Sequence, residues 1–115
     1  MKVTDLGVPI VPAKKVGEYL LSNAHPKWRH KAAVFLRFGF DAATAEVMAA
    51  ALVNHALEHA IVKEEPSRFG RRFVVEGALV TPDGRNPMVR TVWFLRTNEN
   101  EPCFVTAYPM KGKKP

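Results

Sequence analysis

The spacing of apolar residues divides the chain into a helical first part and a strand-rich second part. Up to about residue 60, apolar side chains recur every three or four positions, as they do on one face of an α-helix. Beyond that point, β-branched and aromatic residues form short runs of strand length, separated by segments that carry glycine, proline or asparagine. This change of period predicts an α+β fold in which the helices precede the strands.

Three helices are predicted from this pattern. The first covers residues 13–22, and the second begins at Pro26, whose missing N–H would have no partner in a first turn anyway. Gly39 ends the second helix, because glycine adopts a left-handed conformation cheaply. Asp41 then caps a third, alanine-rich helix over residues 42–60. The apolar stripes expected to face the core are Val16, Tyr19 and Leu20; Trp28, Ala32, Phe35, Leu36 and Phe38; and Val47, Met48, Ala51, Leu52 and Ala56.

The second part of the chain is expected to form a sheet. Its four strands are predicted over residues 61–65, 71–80, 89–97 and 104–108. The connections are short, so neighbouring strands must run antiparallel, because a parallel crossover needs about a dozen residues or more. The expected architecture is three N-terminal helices packed on a four-stranded antiparallel β-meander. We expect a single domain over residues 13–110, between an N-terminal extension, 1–12, and a basic tail, 111–115.

Composition excludes several classes of protein. The 115 residues, 47% of them hydrophobic, suit one globular domain and are too apolar for a disordered chain. No run approaches the ~20 apolar residues that a membrane helix needs, and the N-terminus has no signal-peptide core. We therefore expect a cytoplasmic location and no membrane partner. Cys103 is the only cysteine, which excludes an internal disulfide and a cysteine-built zinc site.

The positive charge of the chain is unevenly distributed. Its 17 Lys+Arg against 11 Asp+Glu give a formal net charge of +6. The cations cluster in residues 27–37, around Gly70 and in residues 111–115, whereas residues 41–59 contain acids but no Lys or Arg. Basic patches attract polyanions such as RNA, although a net charge of this size can also serve only to keep a small domain soluble.

Two histidines one helical turn apart, His55 and His59, match a zinc-peptidase pattern together with Glu58. A catalytic zinc needs a third protein ligand, and the acids downstream lie mostly in predicted strands or turns. The alternative is that His55 continues the apolar stripe as a partly buried residue, while His59 favours the negative end of the helix dipole. We expect this structural role, with no metal and no other cofactor.

A second cluster of reactive side chains lies at the start of the second predicted helix. Residues 25–31 contain two histidines, three cations and a tryptophan, and a helix N-terminus attracts phosphate. Lys27 and Lys31 lie one turn apart and could contact one anion together. The alternative is that Trp28 packs inward and the cations form a solvated face.

The predicted third and fourth strands add candidates for phosphate binding. The centre of the third strand is apolar on both faces, which is typical of a strand that is covered twice or that lines a cleft. Beside it, Arg90 is either a side chain reaching out from a strand end or an anion contact. Thr106 and Tyr108 alternate to the same side of the last strand and could hold a phosphate with it, or they could be ordinary strand residues.

Two stretches of the chain resemble a known family. The first contains Tyr19-Leu20-Leu21, His25-Pro26, His30-Lys31-Ala32-Ala33-Val34-Phe35 and Phe38-Gly39-Phe40. The second contains Gly70-Arg71-Arg72-Phe73, Thr81-Pro82-Asp83-Gly84-Arg85, Val89-Arg90-Thr91-Val92-Trp93-Phe94 and Val105-Thr106-Ala107-Tyr108-Pro109. Over about residues 10–110 the chain resembles a family of small bacterial proteins of unknown function, found alone or at the C-terminal ends of polymorphic toxins. Its order of elements is similar to the ribonuclease-toxin superfold of barnase, EndoU-like, colicin and RelE-type proteins.

The superfold resemblance implies an endoribonuclease that drives the ribose 2′-hydroxyl onto the neighbouring phosphate. Its catalytic residues would be His30, Lys31, Arg90 and Thr106. The residues expected to bind substrate are Lys27, Arg29, Arg71, Arg72 and Tyr108. A histidine, His30 or His55, would move the proton, Lys31 and Arg90 would neutralise charge, and Thr106 or Thr91 would orient the phosphate. Thr91 and Arg90 point to opposite faces of a regular strand, so only one of them can line the site.

Two functions therefore follow from the sequence. The leading hypothesis is a toxin-like, metal-independent endoribonuclease that acts on cellular RNA and is inhibited by an acidic antitoxin or immunity protein. The alternative is a non-catalytic module that binds nucleic acid or a protein through the same basic face. The sequence makes no prediction about the oligomeric state.

Overall fold

In this computed structural model, a layer of helices covers one face of a four-stranded antiparallel sheet. The described part of the chain comprises residues 1–21 and 29–110, without the side chains of residues 19, 20 and 29–31. The predicted α+β class and the antiparallel meander are confirmed, since the four strands follow one another in the sheet in sequence order. None of the helices in the described residues is long and apolar enough to cross a membrane.

The strands lie close to their predicted positions. They are β1 (Ile61–Ser67), β2 (Gly70–Ala78), β3 (Met88–Arg96) and β4 (Cys103–Pro109). The tight turn between β1 and β2 depends on Gly70, whose backbone has a φ of +152°, a value that other residues rarely adopt. A Cβ at this position would overlap the carbonyl oxygen of Leu95, so glycine is required for the close approach of β2 to β3.

The strands alternate between two faces that have different environments. We call the face under the helices the covered face; its side chains are Phe73, Val75, Val89, Thr91, Trp93, Leu95, Phe104 and Ala107. No described helix packs on the other face, which we call the open face; its side chains are Lys63, Glu65, Arg72, Val74, Glu76, Arg90, Val92, Phe94, Thr106 and Tyr108. The main hydrophobic cluster of the described residues therefore lies between the covered face and the helices.

A β-bulge at Val105 interrupts the alternation of β4. Phe104 pairs with Trp93 and Thr106 pairs with Val92, so Val105 has no partner on β3. As a result Phe104 turns into the core while Thr106 stays on the open face, although strict alternation would place both on one side. The predicted common face of Thr106 and Tyr108 is confirmed.

The first helix differs from its prediction. Among residues 13–21, only Ala13–Lys15 is α-helical, and we call it α1; a π-helical turn, Val16–Leu20, follows it. The N–H of Leu21 donates to the carbonyl oxygen of Val16, a bond five residues long, and this wide turn buries both of their side chains. The predicted stripe residues Tyr19 and Leu20 have side chains outside the described part of the chain.

Helix α2 (Arg29–Arg37) ends as the sequence predicts. Ala32 and Phe35 are buried, and the chain leaves the helix at Gly39, which has a φ of +102°. The helix contacts β4 from the covered side of the sheet. The predicted start at Pro26 and the inward packing of Trp28 lie outside the described residues.

Helix α3 (Ala45–Glu58) packs on β2 with a face rotated from the predicted one. Asp41 caps a preceding 3-10 turn, Ala42–Thr44, by accepting a hydrogen bond from the N–H of Ala43. The predicted burial of Val47 is wrong, since this side chain is 47% exposed. The buried side chains are Ala45, Met48, Ala49, Leu52, His55 and Ala56. Alanines occur all round this helix, so the sequence gives little contrast between its faces.

The N-terminal segment packs against the core and bonds the free edge of β4 through Ile10 and Lys15. Val3 is fully buried against the core, and Ile10 forms a parallel bridge with Cys103. Lys15 donates from its Nζ to the carbonyl oxygen of Phe104 over 3.1 Å. These bonds supply partners for backbone groups that an edge strand would otherwise expose. The domain boundary at residue 13 stays a prediction, while the residues before it contribute to the core.

Candidate functional site

Polar and charged side chains meet in one cross-strand row of the open face. Glu76, Arg90 and Tyr108 stand opposite one another on β2, β3 and β4. Arg90 donates from Nε to Oε2 of Glu76 over 2.7 Å, and both side chains remain accessible to solvent. The row therefore places a carboxylate, a guanidinium group and a phenol side by side at the surface.

Apolar side chains separate this row from a second cation. The next row contains Val74, Val92 and Thr106, of which Val92 is almost fully buried. Beyond it, Arg72 stands opposite Phe94. Arg72 also approaches Glu65 on β1, with 3.8 Å between its Nε and Oε1 of the carboxylate. The open face thus has an apolar centre with charged groups on both sides.

Two adjoining depressions lie over this face. The larger has a volume of about 710 Å³ and is lined by residues from the Glu76 row together with Val62 and Lys63 of β1. The smaller has a volume of about 320 Å³ and includes Phe94 and Val105. Arg72 lines both of them. A ligand that fills the two depressions would pass over this guanidinium group.

The structure brings together four of the side chains chosen from the sequence, namely Arg72, Arg90, Thr106 and Tyr108. For three others only the backbone is described: Arg29, His30 and Lys31 lie in α2, and their side chains are outside the described part of the chain. Lys27 lies outside the described residues altogether. The roles of these residues, and the convergence of Lys31 with Arg90, stay predictions.

Arg71 lies on the other side of the sheet from Arg72. It stands opposite Leu95, over the ring of Phe73, and its Nη1 is 3.1 Å from Oε2 of Glu64. The two neighbouring arginines therefore cannot contact one ligand on the open face together.

Thr91 belongs to a buried hydrogen-bond network on the covered face. Its hydroxyl oxygen accepts a bond from Nε1 of Trp93 at 2.9 Å and lies 3.3 Å from Nδ1 of His55. Nε2 of His55 is 3.1 Å from the carbonyl oxygens of both Gly77 and Val89. The proton of a neutral His55 therefore sits on Nε2, and Nδ1 accepts from the hydroxyl of Thr91. Thr91 points away from Arg90, as predicted.

Burial also disfavours the charged form of His55. It lowers the pKa of the imidazole below the ordinary value of 6.5, although the bond to the carbonyl of Gly77 acts in the opposite direction. The side chain is 1% exposed, and both ring nitrogens are occupied by core partners. His55 cannot move a proton on the open face, so that proposed role is corrected to a structural one.

His59 also has a structural partner. Its Nε2 donates to the carbonyl oxygen of Ala78 at 2.9 Å, and its ring lies edge-on to that of His55. A Cβ at position 77 would overlap the imidazole of His59, so Gly77 permits this close packing. Within the described ranges, no group of three or more His, Cys, Asp or Glu side chains could hold a metal ion. The sequence match to a zinc-peptidase pattern is explained by packing of α3 on β2.

The comparison with protein families matches almost the whole chain. A family model described as a domain of unknown function, DUF6883, covers residues 2–111. The chain belongs to the DUF6883 family. The resemblance drawn from the sequence to a family of unknown function is thereby confirmed. No curated protein matches this DUF6883 chain.

A solved structure shares the fold of this DUF6883 domain. It is a chain from a contact-dependent growth inhibition toxin–immunity protein complex of Klebsiella pneumoniae 342. The two chains are 23% identical, and the match covers 90% of this chain and 94% of that chain with a TM-score of 0.69. At this identity the likeness shows a common fold.

Glu76 is the residue of the open face that sequence reasoning missed. It lies in the middle of an apolar run on β2, and its arginine partner follows 14 positions later, beyond the connection of residues 79–87. The pairing register across a connection of this length cannot be read from the sequence. The available signal was the parity of the strand, which places Glu76 on the same face as Val74 and Arg72 of this DUF6883 chain.

Proposed function

We propose that this chain is a toxin-like, metal-independent endoribonuclease whose site is the open face of the sheet. The observation that carries the proposal is the row formed by Glu76, Arg90 and Tyr108, with Thr106 in the next row. Cleavage of RNA by its own 2′-hydroxyl needs a base, an acid and groups that stabilise charge on the phosphate. This part of the face supplies each of these groups.

Glu76 supplies the base. Its carboxylate takes the proton from the ribose 2′-hydroxyl as the 2′-oxygen attacks the adjacent phosphorus. The bond from phosphorus to the 5′-oxygen of the next nucleotide then breaks, leaving a 2′,3′-cyclic phosphate. In the free protein the carboxylate is held by Arg90, which fixes its position next to the guanidinium group.

Arg90 and the residues of β4 act on the phosphate and the leaving group. The guanidinium group neutralises charge as the pentavalent phosphate forms, and the hydroxyl of Thr106 can orient a non-bridging oxygen. The phenol of Tyr108 is 40% exposed, and its O–H can donate a proton to the departing 5′-oxygen. His30 and Lys31 stay predicted additional groups for proton transfer and charge neutralisation, although α2, to which they belong, contacts β4 from the covered side.

The shared fold supports the biological part of the proposal. A chain of similar fold occurs in a complex of a growth inhibition toxin with an immunity protein. We accordingly propose that this chain acts on RNA in the cytoplasm of a target cell. An immunity protein would inhibit it by covering the open face with acidic residues placed against Arg72 and Arg90.

The ion pairs of the open face favour one alternative. Arg90 is paired with Glu76 and Arg72 approaches Glu65, so part of the positive charge is already neutralised. Such a face fits a non-catalytic module that binds nucleic acid or a protein by exchanging these partners. Cleavage of RNA by purified protein separates this function from the proposed one.

The decisive experiment compares two Glu–Arg pairs on opposite faces. Glu76→Gln removes the base of the open face but keeps its shape, while Glu64→Gln makes the same change beside Arg71 on the other face. We expect Glu76→Gln to slow cleavage of total RNA by about 10²–10⁴-fold, the usual contribution of a general base. Glu64→Gln should cut RNA at the wild-type rate.

Two further readouts test the chemistry. Cleavage products should end in 2′,3′-cyclic phosphate, and a chelator should leave the rate unchanged. Induction in bacteria of wild type, but not of the Lys31→Ala/Arg90→Ala double variant, should stop growth and degrade RNA. If wild type neither slows growth nor cuts RNA, the enzymatic function is wrong and the binding module is favoured.

A further inference from the structure

Exposed apolar side chains line the two depressions over the open face, and a ligand with apolar surface would cover them. Val62 is 57% exposed in the larger depression, and the smaller one contains Val105, which is 38% exposed, and the half-buried Phe94. Phosphate contacts alone would leave these side chains in water. The arrangement fits a ligand that carries both negative charge and flat apolar groups.

The two depressions share Arg72, Glu65 and Val92 as lining residues. Arg72 lines both, with Val62 and Tyr108 on one side and Phe94 with Val105 on the other. Its contact with Glu65 is long, at 3.8 Å, and Glu65 has a closer partner in Lys63, at 3.3 Å. Arg72 can therefore exchange Glu65 for a phosphate, because Lys63 still neutralises the carboxylate.

We propose that the open face selects single-stranded over double-stranded RNA. This inference rests on the proposed function and specifies the class of its substrate. A phosphate lies on Arg72, and unstacked bases occupy the depressions on either side, one against Tyr108 and one against Phe94 and Val105. In a duplex the bases are stacked inside and the surface presents phosphates and hydroxyls. Only a single strand can bring base faces onto these apolar side chains.

The test measures binding without cleavage. The probes are a short single-stranded RNA in which every ribose carries a 2′-O-methyl group, which removes the nucleophile, and the same strand annealed to its complement. Fluorescence anisotropy with wild-type protein should give at least about tenfold tighter binding of the single strand, as expected for one stacked base. Equal affinity for the two probes would overturn the selection.

A matched pair of phenylalanines locates the base contact. Phe94→Ser should weaken single-strand binding by about 5-fold to 150-fold, the range for loss of one stacked base, and leave duplex binding unchanged. Phe69→Ser is the control, since Phe69 is 69% exposed on the turn between β1 and β2 and lines neither depression. Arg72→Gln should make single-strand binding less dependent on salt, by the amount expected for the loss of about one phosphate contact. Equal effects of the two phenylalanine variants would contradict the assignment.

Cleavage of the unmodified strand and duplex, measured in parallel, separates this inference from the proposed function. Cleavage of both forms at equal rates supports the enzymatic function and overturns the selection of single strands. Tight binding of the single strand without cleavage supports the selection and overturns the enzymatic function. Failure to bind or cut either form overturns both.

Discussion

The two faces of the sheet place their polar groups in different environments, one buried and the other accessible to solvent. On the covered face, His55, Thr91 and Trp93 form one buried chain of hydrogen bonds in which each group has a fixed donor or acceptor role. On the open face, Glu76 and Arg90 form a solvent-accessible ion pair beside an apolar centre. Thr91 and Arg90 are neighbours in sequence, yet one belongs to the core and the other to the surface.

This difference indicates which face contributes to stability and which face is available for function. A buried polar group without a partner costs free energy, so the covered face tolerates little change. An exposed ion pair contributes little to stability and can exchange partners with a ligand. Substitutions on the covered face should therefore alter folding, and equivalent substitutions on the open face should alter binding and catalysis.

The largest difference is expected between two adjacent aromatic residues. Trp93→Ala removes a fully buried indole and should lower the free energy of unfolding by about 3–5 kcal/mol. Phe94→Ala, on the open face, should cost markedly less, because that ring is only half-buried. Urea denaturation of both variants measures the difference, and similar losses would show that the two faces are equally important for stability.

The next largest loss of stability is expected when the hydroxyl of the buried Thr91 is removed. Thr91→Val keeps the shape of the side chain but leaves Nε1 of Trp93 and Nδ1 of His55 without a partner. A loss of about 1–3 kcal/mol is expected in urea denaturation. Thr97→Val, at an exposed position just after β3, is the matched control and should change stability by less than about 0.5 kcal/mol. A neutral Thr91→Val would mean that the network contributes only packing.

Acidification should also destabilise the covered face. The pKa of His55 is lowered in the folded protein, so the unfolded chain binds a proton that the folded protein excludes. Stability is therefore full above pH 6.5 and falls as the pH drops below that value, with a slope of at most about 1.4 kcal/mol per pH unit from this group. Urea titrations at several pH values measure the slope, and a His55→Asn variant should have a shallower one.

The smallest effect on stability is expected from the ion pair of the open face. A double-mutant cycle on Glu76 and Arg90 should give a coupling of about 0.2–1 kcal/mol, similar to that of the exposed pair Glu64–Arg71. The same variants should differ strongly in RNA cleavage. A coupling of several kcal/mol would assign the Glu76–Arg90 pair a structural role and remove the contrast between the faces.

The sequence predicts the sheet well because two local properties determine it. The short connections force antiparallel neighbours, and strand parity separates Arg90 from Thr91 and places Thr106 with Tyr108. The rotation of α3 could not be predicted, because alanines on all sides give it no distinct apolar face. The exposure of Val47 is the result.

The candidate site was only partly accessible to sequence reasoning. Arg72, Arg90 and the two hydroxyl residues of β4 were chosen from charge and parity, and they share one face. Glu76 was missed because its partner depends on the register between β2 and β3. The burial of His55 was underestimated, since its three hydrogen-bond partners come from residues 22 to 36 positions away in the chain.

The bulge at Val105 marks a position where β4 can lose one residue without a change in the direction of the other side chains. A strand with strict alternation and one residue fewer would still direct Phe104 into the core and Thr106 outward, since the bulged residue alone has no partner on β3. The fold should therefore tolerate deletion of Val105, whereas deletion of Ala107 would shift Tyr108 to the covered face. Homologous sequences that differ by one residue in this strand would best be aligned with the gap at position 105.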